Sequence, residues 1–219
     1  MIALSTEQNL ALSFCRARVK QVYMQLLQFD RSLGRAVQQG GPPLAGQIRL
    51  AWWRDQIAAE QFGRDASPVL AELDRALPDK ASARDKLVRI VDGWELLLGE
   101  SGLSDEILLQ YASDRGGSLF ALAAEASRSE AESAAEAAGK LWALVDLARH
   151  SSDPALSARA FGLARDYLGS PHTLPNDLRP FSILAYFAER DIVRGSDRLL
   201  PPGSPHRILQ AWRFSLRLA

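Results

Sequence analysis

Residues 46–57 read GQIRLAWWRDQI, and the spacing inside this stretch decides how the chain is built. Ile48, Trp52 and Ile57 recur at helical intervals and form one apolar stripe. Adjacent tryptophans on a helix project about 100° apart, so both are rarely buried in one place. Trp52 is therefore expected on the stripe with Ile48. Trp53 falls one turn beyond Arg49, where a guanidinium can stack on an indole.

The same period continues in both directions. Val22, Leu26, Phe29 and Leu33 step by four, three and four, and Val88, Val91 and Leu98 repeat the pattern with Trp94 alongside. Ser5 with Gln8, Ser82 with Asp85 and Ser129 with Glu132 have capping-box spacing. Ser67-Pro68, Asp153-Pro154 and Ser204-Pro205 each set a capping residue before a proline suited to a first helical position. The spacing predicts about nine helices, over 6–38, 44–62, 68–77, 82–99, 104–127, 130–150, 154–168, 178–194 and 205–218. Breaks are expected at Gly40-Gly41-Pro42-Pro43, near Gly63–Pro68, at Pro78, at Gly99–Gly102 and over Gly169–Pro175. No segment alternates with period two between hairpin turns, so the fold class is all-α.

Composition narrows the function. The chain has 219 residues, 47% of them hydrophobic and 24% charged, with 26 basic and 26 acidic side chains. That length buries a sizeable core in a single domain. Zero net charge gives no bulk attraction for a polyanion, so no nucleic-acid partner is expected. Residues 1–54 carry +5, 55–146 carry −9 and 147–219 carry +4, so a helical fold can bring its two basic ends to one face. Cys15 is the only cysteine and can form neither an internal disulfide nor a thiolate zinc site. The opening MIALSTEQNL lacks the basic cluster and apolar run of a signal peptide, and no stretch of about 18 apolar residues occurs. The expectation is a cytoplasmic protein.

Several chemistries fail on spacing. Gly116-Gly117-Ser118 lacks the last glycine and the preceding strand of a nucleophile elbow. No P-loop pattern occurs. His150, His172 and His206 are scattered, and Asp146 with His150, four apart, makes an ion pair rather than a metal site.

Four stretches in order carry a resemblance. They are LLQFDRSLGRAV (26–37), GQIRLAWWRDQI (46–57), YASDRGGSLFALAAEA (111–126) and LPNDLRPFSILAYFAERDIVR (174–194). Together they resemble the squalene/phytoene synthase family of all-helical head-to-head prenyltransferases over roughly residues 10–215, with the Trp-Trp segment the most specific. The resemblance implies an isoprenoid-synthase-like bundle, short beside full-length catalytic members. In active members two aspartate-rich motifs on facing helices hold Mg²⁺, which bridges them to two isoprenoid diphosphates and assists ionisation. Aligned on Phe29, the first motif would put acids near positions 34 and 38, where this chain has Gly34, Arg35 beside it, and Gln38. Asp30 stands alone one turn earlier. In place of the second motif are Asp146, His150 and Asp153, without an aspartate pair. No metal ligands are assigned; Mg²⁺ is the implied cofactor only if the chain is active.

The retained Trp-Trp and the lost aspartates resemble the noncatalytic branch of the family, which includes a mitochondrial respiratory complex I assembly factor. That implies an accessory factor that binds a prenyl lipid or a protein partner. The alternatives are a working prenyltransferase with a remodelled metal site using Asp30, Asp146 or Asp153, with Tyr111 a further catalytic candidate, and a helical scaffold without a lipid pocket. Arg31, Arg35 and Arg49 could meet an anionic head group without metal. Trp53, Tyr111, Gly116 and Gly117 complete the candidate substrate-binding set, the glycines giving room for a chain or for close helix approach.

The last helix places Ile208, Leu209, Trp212 and Leu216 on one face and Arg207, Arg213 and Arg217 on the other. Such a helix caps the protein's own core, or docks on a partner or at the inner-membrane surface as a peripheral contact.

Overall fold

Helix 1 begins where the capping box predicts it. The Ser5 hydroxyl accepts from the Gln8 amide at 3.1 Å, and the Gln8 side chain accepts from the Ser5 amide at 3.0 Å. The structure is a computed structural model that describes residues 2–39, 42–59, 67–77, 79–99, 103–195 and 198–217. Eleven α-helices stand among the described residues: α1 Thr6–Ser13, α2 Ala17–Gln38, α3 Pro43–Ala58, α4 Pro68–Ala76, α5 Lys80–Glu95, α6 Asp105–Tyr111, α7 Ser118–Ser127, α8 Glu132–His150, α9 Pro154–Ala164, α10 Arg179–Arg194 and α11 Pro205–Arg217. No strand occurs among these residues, and the fold is all-α.

Two of the expected helices are divided. The run over 6–38 breaks at Phe14–Arg16, which lets α1 fold back against α10 and α11 and bury Ala11 and Leu12. A straight continuation would have carried that apolar turn away from the bundle. The run over 104–127 is interrupted by a π-helical turn, Ala112–Gly117, between α6 and α7. Gly40-Gly41, residues 63–66, Pro78 and residues 101–102, where breaks are expected, lie outside the described residues.

All three cap-proline pairs start helices. Ser67, Asp153 and Ser204 accept from the amides of Leu70, Ala155 and Arg207. The other two capping boxes do not form. Asp79 caps α5 instead, accepting from Ala81 and Ser82, so α5 starts two residues early. α8 starts at Glu132 behind Ala131, which makes no side-chain cap.

α7 is the centre. Leu119 to Ala124 are fully buried, as suits a helix that is apolar all round. α2, α5, α8 and the π turn pack about it. The predicted stripe Val22, Leu26, Phe29 and Leu33 is buried. The α3 stripe departs from the expectation at two of its three positions: Ile57 is buried, but Ile48 and Trp52 are 62% and 42% exposed and Leu50 is buried in their place. Gly46 permits this rotation. A Cβ there would lie 2.7 Å from Leu98 Cδ1, so the missing side chain lets the face carrying Gly46, Leu50, Trp53 and Ile57 close on its neighbours.

Candidate functional site

A cavity of about 460 Å³ opens between α2, α8 and α10, with the N-terminal residues across one side. Its floor is an ionic cluster centred on Arg115. The guanidinium makes a two-point contact with Asp30, Nε to Oδ1 at 2.8 Å and Nη2 to Oδ2 at 2.9 Å. Nη2 also lies 2.8 Å from Asp146 Oδ2, and Nη1 donates to the Tyr111 hydroxyl. The cation stands over two indoles, 4.1 Å from the Trp94 ring centre and 4.7 Å from that of Trp142. Trp94 Nε1 donates to Asp30 Oδ1 at 2.8 Å, so both oxygens of that carboxylate are engaged.

Local backbone explains how a charge reaches this depth. The π turn carries one extra residue per loop and thrusts Arg115 between α2 and α8. Three glycines admit the turn. A Cβ on Gly93 would lie 2.8 Å from the Arg115 amide nitrogen, and one on Gly116 would lie 2.1 Å from the Gly139 carbonyl oxygen. Gly34 does the same for Trp94, whose ring edge lies 2.8 Å from where its Cβ would be.

The electrostatics are those of a closed pairing. Burial works against the Arg115 charge, but the Asp30 carboxylate, with Asp146, outweighs it and holds the guanidinium protonated well above its ordinary range. Burial would likewise raise Asp146; the Arg115 charge, helped by His150, overcomes this and holds its carboxyl below the usual carboxylate range. Burial pushes the Tyr111 hydroxyl upward, so it stays a neutral hydroxyl that accepts from Arg115.

A second ionic group stands on the facing wall. Asp191 accepts from Arg149 at 2.6 Å and from Arg207 at 2.6 and 2.5 Å. Arg207 also donates to the Phe187 carbonyl at 3.1 Å and lies 3.1 Å from Glu7. Burial raises Glu7 above its ordinary value, against the pull of Arg207 and Arg149.

Asp30, Tyr111, Asp146 and Arg35 meet at the cavity, together with Arg31. Arg31 comes from the basic first segment and Arg149 from the basic last one, so the two ends share this face. The remaining candidates do not line it. Asp153 caps α9, accepting from the Ala155 amide at 2.8 Å. Arg49 donates to the Ala36 carbonyl at 2.8 Å beside a smaller pocket of about 160 Å³, and Trp53 packs edge-on against Phe29 at 5.5 Å between ring centres. Gly116 faces Gly139 across a helix crossing, and Gly117 is buried with ordinary contacts. His150 Nδ1 lies 2.7 Å from the Asp146 carbonyl oxygen and 3.4 Å from Asp146 Oδ1.

Arg115, Trp94, Trp142 and Asp191 are site residues that the sequence reading did not single out. Arg115 did carry a signal, since it is the only basic residue between Arg89 and Arg128 in a mostly apolar stretch. Among the described residues no group of three or more His, Cys, Asp or Glu side chains could hold a metal ion. The two carboxylates nearest to doing so are bridged by a guanidinium.

The all-α bundle is consistent with the isoprenoid-synthase-like fold that the resemblance implies. The family model for squalene/phytoene synthase matches residues 3–160, and the chain belongs to that family. No curated protein and no solved structure matches it.

Proposed function

We propose that this chain is a noncatalytic member of the squalene/phytoene synthase family, an accessory or assembly factor that binds one isoprenoid without ionising it. The observation that carries the reading is Arg115 set between Asp30 and Asp146. A divalent cation in that place would need the same carboxylate lone pairs, and would have to displace a buried guanidinium that two acids and two indoles hold. Trp94 supports it, because its ring fills the space beside Gly34 where the resemblance calls for an acid. The residues present do not fit a magnesium cluster.

Binding needs less than chemistry does. About 460 Å³ suits one small ligand. Trp94, Trp142, Leu184 and Phe187 offer apolar wall, and Arg35, exposed at the rim on the outer side of α2, offers charge to an anionic head. The cavity also counts against a scaffold without a pocket.

The convergence of Asp30 and Asp146 favours a second reading, a prenyltransferase with a rebuilt metal site. One experiment separates the two. Farnesyl diphosphate is offered with Mg²⁺ and, in parallel, with EDTA, and both binding and pyrophosphate release are followed. Binding that survives EDTA without release is the expected result. Steady Mg²⁺-dependent release, abolished in Asp146→Asn, would establish the enzyme instead.

A further inference from the structure

α11 is built inside out. Its buried face carries Arg207, Gln210, Ala211, Phe214 and Ser215, whereas Ile208, Leu209, Trp212 and Leu216 are 50%, 42%, 56% and 57% exposed. The rotation is fixed from within. Arg207 is fully buried on Asp191, and Phe214 stacks on Tyr186 at 4.3 Å and 11°. Rolling the helix to hide its apolar face would drag a paired guanidinium into solvent and leave Asp191 short of a donor. The correction to the sequence expectation is twofold: Arg207 is not on the polar outer face, and the apolar face is not the one that caps the core.

We infer that α11 is an interfacial helix that seats the protein on an anionic lipid surface. The four exposed apolar side chains span an arc of about 100°, the width of an interfacial helix's buried stripe. Arg213, exposed, borders that arc, where its stem can follow the acyl boundary and its charge can meet a lipid phosphate. Complementarity of charge selects the occupant. Arg207 is taken up inside by Asp191, but Arg198, His206 and Arg213 are exposed and residues 198–217 contain no acid, so the surface that accompanies the apolar arc is basic. Trp212, mid-arc, has the amphipathic ring suited to the headgroup level. No helix among the described residues is long and apolar enough to cross a membrane, so the contact is peripheral. It also has a consequence for the cavity. Pro202, three residues before α11, lines it, and so does Asp191, which anchors Arg207; docking would hold that wall at the lipid surface.

The test uses the full chain, sedimented with vesicles of phosphatidylcholine alone and of phosphatidylcholine with phosphatidylglycerol. Wild type is expected to pellet with the anionic vesicles. The triple variant Ile208→Ser/Trp212→Ser/Leu216→Ser, whose changes are all solvent-exposed, is expected to lose about tenfold or more in apparent affinity, with an unchanged melting curve. Arg213→Glu is expected to weaken binding to anionic vesicles. Wild type left in the supernatant with both vesicle types would overturn the inference, as would a triple variant that still pellets. A wild-type dimer that the triple variant turns into monomer would also overturn it, assigning the face to a second copy of this chain.

Discussion

Arg115 and Asp30 are 85 positions apart in sequence and form a two-point ion pair in which both side chains are at most 3% exposed. A pair buried this completely costs most when it is half removed. Arg115→Met keeps the length of the side chain and strips the charge, leaving the buried Asp30 carboxyl short of its main partner. Removing one partner of a buried pair should cost about 3–5 kcal/mol of stability, seen as a lower urea midpoint. Adding Asp30→Asn and Asp146→Asn should restore much of that loss, because no uncompensated charge then remains. A triple variant no more stable than Arg115→Met would show that Arg115 acts by packing on Trp94 and Trp142 instead.

The two partly coupled acids at the cavity should respond to pH in opposite senses. Asp146 is held below its ordinary value of 3.8, so its ionised form stabilises the fold above that value and the contribution is lost as pH falls through the depressed one. Glu7 is raised above 4.5, so its burial is tolerated in acid and opposes folding once pH rises past its raised value. Asp146→Asn should therefore be less stable than wild type at neutral pH, with the gap closing as pH falls through the depressed value. Glu7→Gln should be more stable than wild type at neutral pH and equal to it in acid. Urea titrations across the range check both signs.

The rotation of α3 is open to a paired test. Trp52 points outward and Trp53 lies against Phe29. Trp52→Ala should change stability by no more than about 0.5 kcal/mol. Trp53→Ala should cost about 2–3 kcal/mol, the usual loss for a core tryptophan discounted for partial exposure. Thermal melts of the two single variants suffice, and equal losses would contradict the observed rotation.

What could be read from sequence was whatever depends on neighbours along the chain. Helix spans, the α2 stripe and the cap-proline starts follow from local spacing, and so the all-α class was legible. The rotation of α3 was not, because Leu44, Ile48 and Trp52 are as periodic as Gly46, Leu50, Trp53 and Ile57. Packing against α5 and α2, with Gly46 set beside Leu98, chooses between the two faces. The site was half legible for a similar reason. Asp30 and Asp146 could be picked out as acids on helices expected to face each other, but their common partner lies on a third element. Its reach depends on a π turn, whose one extra residue leaves no mark in hydrophobic periodicity.

That turn gives the strictest test of the site's construction. Gly116 and Gly139 meet backbone to backbone, and a Cβ on either would fall within 2.1 Å of the other's carbonyl oxygen. No rotamer relieves such a clash, because the obstacle is main chain on both sides. α8 would have to move away from the π turn, and that motion would pull Asp146 from Arg115 while Asp30, on α2, stayed in place. Gly116→Ala should therefore cost about 3 kcal/mol, the upper end for overpacking, and also weaken the Arg115–Asp146 contact. Gly117→Ala, whose Cβ would meet nothing closer than 3.7 Å, should be tolerated. Melting curves of the two variants, with indole fluorescence reporting on Trp142 beside Arg115, distinguish a clash at one glycine from a general intolerance of the turn. Equal melting temperatures for the two variants would mean that α8 yields more easily than this crossing implies.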